Sequence, residues 1–149
     1  MKTLFKPADR DALSRRFAAL EPDAQRQWGR MEPAQMLRHC AIALEDALGT
    51  RPVKQVFLGK LVTPFIRSQV FGDKPFRHSA PTDPTYLVSG SPVFEAELSR
   101  LATLIDRLVQ RGAAKTEGLV HPCFGRLSGD KWGRLVYKHL DHHLRQFGV

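Results

Sequence analysis

The sequence predicts an all-α protein: an antiparallel four-helix bundle with a decorated crossover between its second and third helices. Three observations predict it. Phe94, Leu98, Leu101, Ile105 and Leu108 alternate steps of four and three, the apolar seam of a bundle helix. Prolines and glycines fall where helices begin and end. No segment alternates polar and apolar residues over a useful length, so strands are not expected. The 149 residues form one domain, 1–149, large enough to bury a core.

The first helix runs from about Pro7 to Ala19, with proline in its opening turn and Leu13, Phe17 and Leu20 on one side; Pro22 closes it. A turn-rich link leads to the second helix, about Glu32 to Leu48, with Pro33 in its first turn and Gly49 as its C-cap. The apolar stretch Arg51 to Phe71 contains Thr63-Pro64, an N-cap followed by a first-turn proline, and reads as two short helices. Residues Gly72 to Pro92, with Pro75, Pro81, Pro84 and Pro92, read as a long loop, either a functional lid or simply variable. The third helix spans about Val93 to Gln110 and ends at Gly112. After a loop carrying His121-Pro122-Cys123-Phe124-Gly125, Ser128 caps a final helix that reaches about Phe147.

Composition narrows the function classes. The apolar fraction of 42% and charged fraction of 26% are those of a globular domain. No apolar run approaches membrane-spanning length and the first residues lack a signal-peptide pattern, so a cytoplasmic address is expected. The net charge of +8 would suit a polyanion, yet the basic residues are scattered and match no nucleic-acid motif. Cys40 and Cys123 are far apart and in no C-x-x-C arrangement, and each reads as a small buried hydrophobe.

The final helix carries the chemistry. Rotating about 100° per residue puts Trp132, Val136, His139, His143 and Phe147 on one stripe. Arg134, Lys138, Asp141 and Arg145 fall on the opposite, solvated side, with His142 near the boundary. Two imidazoles one turn apart thus point inward, where an unpaired polar group is costly. A metal ion removes that cost; core histidines satisfied by carbonyls or buried water are the alternative. On the second helix Met36, Cys40, Ala43 and Ala47 face inward, and His39 sits at the rim of that stripe. Three imidazoles from two helices would leave coordination positions open, as catalytic sites do.

The segment His139-Leu140-Asp141-His142-His143-Leu144-Arg145-Gln146 resembles the closing H-x-x-H-H-x-x-Q signature of the DinB/YfiT-like superfamily of four-helix bundles. Trp28-Gly29-Arg30-Met31 with Pro33 to His39 resembles its second-helix motif. The His121 to Gly125 loop, Trp132-Gly133-Arg134-Leu135 and Gln146-Phe147-Gly148 narrow the likeness to a bacterial DinB-like branch of unknown function. The resemblance implies a metal triad of His39, His139 and His143, with His142 in the motif but outside the triad. It also implies a metal-dependent transferase using a low-molecular-weight thiol, or a metal-dependent hydrolase.

Zinc or nickel at the triad would lower the pKa of a bound water or thiol. No general base is assignable: Glu45 should face solvent, and Asp46 is at most a residue behind the ligands. The alternative function is a non-catalytic, small-ligand-binding or stress-related bundle without a functional metal. Phe57, Leu61, Phe65 and Phe71 would wall its pocket, or are plain core. Lys54 to Arg67 as a membrane surface is disfavoured by its short length and proline. His121 and Phe124 could line the pocket mouth, Cys123 could be reactive if exposed, and His78 reads as a surface residue without a partner. Expected partners are a small-molecule ligand or substrate, with no nucleic acid and no membrane; the bundle could pair as a homodimer.

Overall fold

The computed structural model describes residues 1–52, 67, 69–72, 74–78 and 83–149. Most of these are helical, and the all-α class holds. Four α-helices are described: α1 (Pro7–Ala18), α2 (Pro33–Leu48), α3 (Phe94–Thr116) and α4 (Gly129–Gln146). A 3-10 turn covers Pro84–Tyr86, and β1 (Val120–His121) pairs antiparallel with β2 (Gly125–Arg126).

The local chemistry explains the boundaries. In α1, Pro7 occupies the first turn, Asp9 is near its start, and Arg15 and Arg16 are in its last turn, each on the side that the helix dipole favours. At the start of α2 the Gln35 side chain accepts from the Glu32 N–H at 3.0 Å. Gly49 ends α2 in the left-handed region, φ 64°, and the Thr50 N–H reaches back to the Glu45 carbonyl at 3.0 Å. Ser128 caps α4 by accepting from the Lys131 N–H at 3.3 Å.

Two elements depart from the sequence reading. Gly112 bends α3 instead of ending it: with φ 73° it breaks the helical run, and helix resumes as far as Thr116, whose hydroxyl donates to the Gly112 carbonyl at 2.8 Å. The β1–β2 hairpin was not expected; two residues per strand are too few to show alternation.

Helix α2 packs most extensively on α3, while α4 touches α1, α2 and α3. Met36, Leu37, Leu44, Leu101, Leu108, Trp132, Leu140 and Leu144 are essentially fully buried where these helices meet. Gly133 lets the N-terminal segment cross α4 closely: the Leu4 N–H donates to the Gly133 carbonyl at 3.1 Å, and a Cβ there would lie 2.6 Å from the Thr3 hydroxyl.

The two-helix reading of the crossover, its Thr63-Pro64 cap, the basic stretch Lys54 to Arg67 and the stripe residues Phe57, Leu61 and Phe65 lie outside the described residues, Arg67 excepted. Phe71 is half-buried, its ring edge-on to Phe124 with centroids 5.3 Å apart. Lys138 is not on a solvated face. It is half-buried, and its ammonium donates to the carbonyls of Gln69, Val70 and Gly72 at 2.6, 3.1 and 2.9 Å, fastening the crossover to α4. Asp141, also placed on that face, is half-buried between Arg16 of α1, at 2.6 Å, and Arg145, at 2.9 Å. Among the described residues no helix is long and apolar enough to cross a membrane.

Candidate metal centre

His39 from α2 meets His139 and His143 from α4 in one cluster. One ring nitrogen from each lies within 4.8 Å of the others, close enough to hold a metal ion. His39 and His143 are buried at 5% and 7% exposure, whereas His139 is more open, toward a cavity of about 1290 Å³. The rim position of His39 on α2 is thus an inward one.

Hydrogen bonds orient two of the rings. His39 Nδ1 is 2.9 Å from the Tyr86 carbonyl oxygen. A carbonyl only accepts, so Nδ1 carries the proton and Nε2 is left bare toward the cluster. His143 Nδ1 is 2.8 Å from Gln146 Oε1, and the Gln146 amide nitrogen donates to the Trp28 carbonyl at 2.8 Å. That second bond fixes the amide's orientation, so His143 Nδ1 is also the protonated nitrogen and its Nε2 is free. His39 Nε2 then accepts from His139 Nε2 at 2.9 Å.

The anchors are themselves held. Tyr86 sits at the end of the 3-10 turn, and its phenol donates to Asp46 at 2.5 Å. Asp46 lies two turns beyond His39 on α2, is 1% exposed, and also pairs with Arg51 at 3.2 Å. Burial pushes its carboxyl pKa up, opposed by the phenol and by Arg51. Asp46 therefore stands behind His39 through Tyr86. Glu45, expected to face solvent, is half-buried and pairs with Arg100 of α3 at 2.5 Å.

Electrostatics favour neutral imidazoles. Burial lowers the pKa of His39, against the pull of the Tyr86 carbonyl. Burial, then the neighbouring His143 and His39, push His139 well below the ordinary value. His143 is lowered to about 3, chiefly by burial. At neutral pH all three are neutral; His39 and His143 keep Nε2 unprotonated, and His139 would move its proton from Nε2 to Nδ1 to offer a metal the same atom.

The cavity gathers other residues named from sequence. His121 and Phe124 line it. His121 Nδ1 accepts from the backbone N–H groups of Cys123 and Phe124 at 3.0 and 3.3 Å, and burial lowers its pKa to about 4. Cys123 also lines the cavity, but burial raises its thiol pKa, which argues against a reactive thiolate. Cys40 is fully buried and contacts Met36. His142 is drawn in among the aromatic rings of the mouth, its pKa lowered to about 4 by burial. His78 does have a partner: it stacks flat on Trp28, centroids 3.7 Å apart. Tyr86 and the bridging role of Gln146 had no periodic signal; the final glutamine of the closing motif was the one available clue.

Fold and site together define an all-α protein with a buried three-histidine cluster opening on a cavity. Residues 5–148 match the family described as protein of unknown function (DUF1569), and the chain belongs to that family. No curated protein and no solved structure matches the chain.

Proposed function

We propose that this protein is a DinB-like antiparallel four-helix bundle in which His39, His139 and His143 hold a divalent metal, zinc or nickel, for chemistry on a small molecule. One observation carries the reading: two of the three imidazoles have Nδ1 committed to a fixed acceptor, which leaves Nε2 as the atom each can offer in a cluster whose ligand atoms lie within 4.8 Å of one another. Such orienting acceptors typify metal-bound histidines. The donor set fits. Nitrogens in a tetrahedral zinc site stand roughly 3.3 Å apart, so the 2.9 Å His39–His139 contact has to open only slightly.

A metal held there would supply a water or thiol of lowered pKa. The protein's own residues do the rest. Tyr86 and Gln146 keep His39 and His143 in one tautomer, and Trp132 and Val136 line the cavity beside the cluster. The reaction is a transfer using a low-molecular-weight thiol, or a hydrolysis. A second reading has one observation in its favour: the His39–His139 hydrogen bond satisfies two imidazoles without a metal, as in a non-catalytic ligand-binding bundle.

The test is metal analysis of untagged protein, before and after reconstitution. Stoichiometric zinc or nickel that is lost in His143→Ala supports the proposal; no uptake at full reconstitution ends it. Turnover assays with and without added thiol then separate transferase from hydrolase.

A further inference from the structure

The mouth of the cavity carries charge that the metal reading leaves unused. Two loops meet there, where the Trp28 ring lies on His78 with planes 8° apart. His142 closes the corner, its centroid 5.6 Å from Trp28 and 6.2 Å from His78. Arg30 follows Trp28 by two residues, Arg77 immediately precedes His78, and both arginines line the same cavity.

Among the described residues neither guanidinium has an acidic partner, whereas Arg16, Arg38 and Arg100 each do. Among the described residues the one acid lining the cavity is Asp83, and its Oδ1 already accepts from the Thr85 N–H and hydroxyl at 2.8 and 2.7 Å. The Trp28 indole N–H is buried and has no acceptor among the described residues. Among the described residues, two cations without acidic partners thus line a cavity whose single acid is already engaged.

We propose that this mouth binds a small organic anion, its carboxylate or phosphate held by Arg30 and Arg77 and its apolar part directed inward over Phe76 and Phe124. Guanidinium is the side chain best suited to such oxyanions. The inference rests on the reading of the cavity as a small-molecule site; it does not need the metal.

Calorimetric titration with phenylacetate, phenyl phosphate and neutral phenylacetamide tests it, on the full chain after chelation and again with zinc added. At least one anion is expected to bind roughly tenfold or more tightly than the amide in both states, since hydrogen bonds to charged groups are worth at least that factor. The exposed pair Arg30→Gln/Arg77→Gln should abolish the preference with an unchanged melting curve. Equal binding of the amide and both anions overturns the proposal, as does a preference that survives the double substitution. Anion binding that needs zinc and ignores the arginines would overturn it while leaving the metal centre standing. A preference that depends on the arginines in a chain that takes up no zinc would sustain it and end the metal reading.

Discussion

Helix α2 presents two polar faces that are built differently. Toward α3, acids and bases alternate and close on one another: Arg38 binds Glu97 at 2.6 Å, Glu97 meets Arg100 at 3.3 Å, and Arg100 binds Glu45 at 2.5 Å. Toward the cavity, His39 is joined by neutral imidazoles, and the arginines at the mouth lack acidic partners among the described residues. The first face is electrostatically complete and serves packing. The second has donor capacity left over, which is the property of a surface awaiting a ligand.

The largest effect should come from breaking the frame that both faces share. Gly129 opens α4 against the bend of α3, and a Cβ there would run into the Ala113 carbonyl, a backbone atom that cannot swing aside. Gly129→Ala should cost about 3 kcal/mol, measured by urea unfolding, and lower metal uptake with it.

Tyr86→Phe strikes the cavity face alone. It leaves the buried Asp46 with Arg51 and frees the turn that holds His39. A loss of about 1–3 kcal/mol in stability is expected. Zinc affinity should fall roughly 10–100-fold, read by competition with a chromophoric chelator.

Glu97→Gln is the counterpart on the packing face. Its arginine partners are 40% exposed, so solvent screens the pairs and the cost should stay near ~1 kcal/mol. Zinc affinity should not move. A change comparable to that of Tyr86→Phe would mean that the two faces are coupled and the contrast is wrong.

The last prediction concerns pH. His121 titrates at about 4 in the fold, against an ordinary 6.5, because burial disfavours its charged form. The unfolded chain therefore takes up the proton first. Stability from this residue is complete above pH 6.5, drains as pH falls toward 4, and is flat below. His121→Asn, which keeps an acceptor for the backbone N–H groups, should make the melting temperature of metal-free protein fall less steeply across that window.

The helix starts and the inward side of α4 were legible because caps and period act locally: Pro7, Pro33, Gly49 and Ser128 all mark boundaries that the structure keeps within a residue or two. His139 and His143 shared that advantage. His39 lay at the edge of an apolar stripe, and what settles its direction is a carbonyl from a 3-10 turn 47 residues away, within a region that read as loop. The His78–Trp28 stack joins two loops with no period of their own, so no sequence pattern could announce it. Gly112 misled because a left-handed glycine can bend a helix as well as end it.

Gln146 lies between an N–H and an oxygen: it must accept from His143 and donate to the Trp28 carbonyl. A glutamate could do the first but would press a second oxygen against that carbonyl; a lysine could do only the second. Of the side chains of this length, an amide alone serves both neighbours. A backbone oxygen 118 residues upstream thus dictates the chemical identity of position 146, and through it which nitrogen His143 offers.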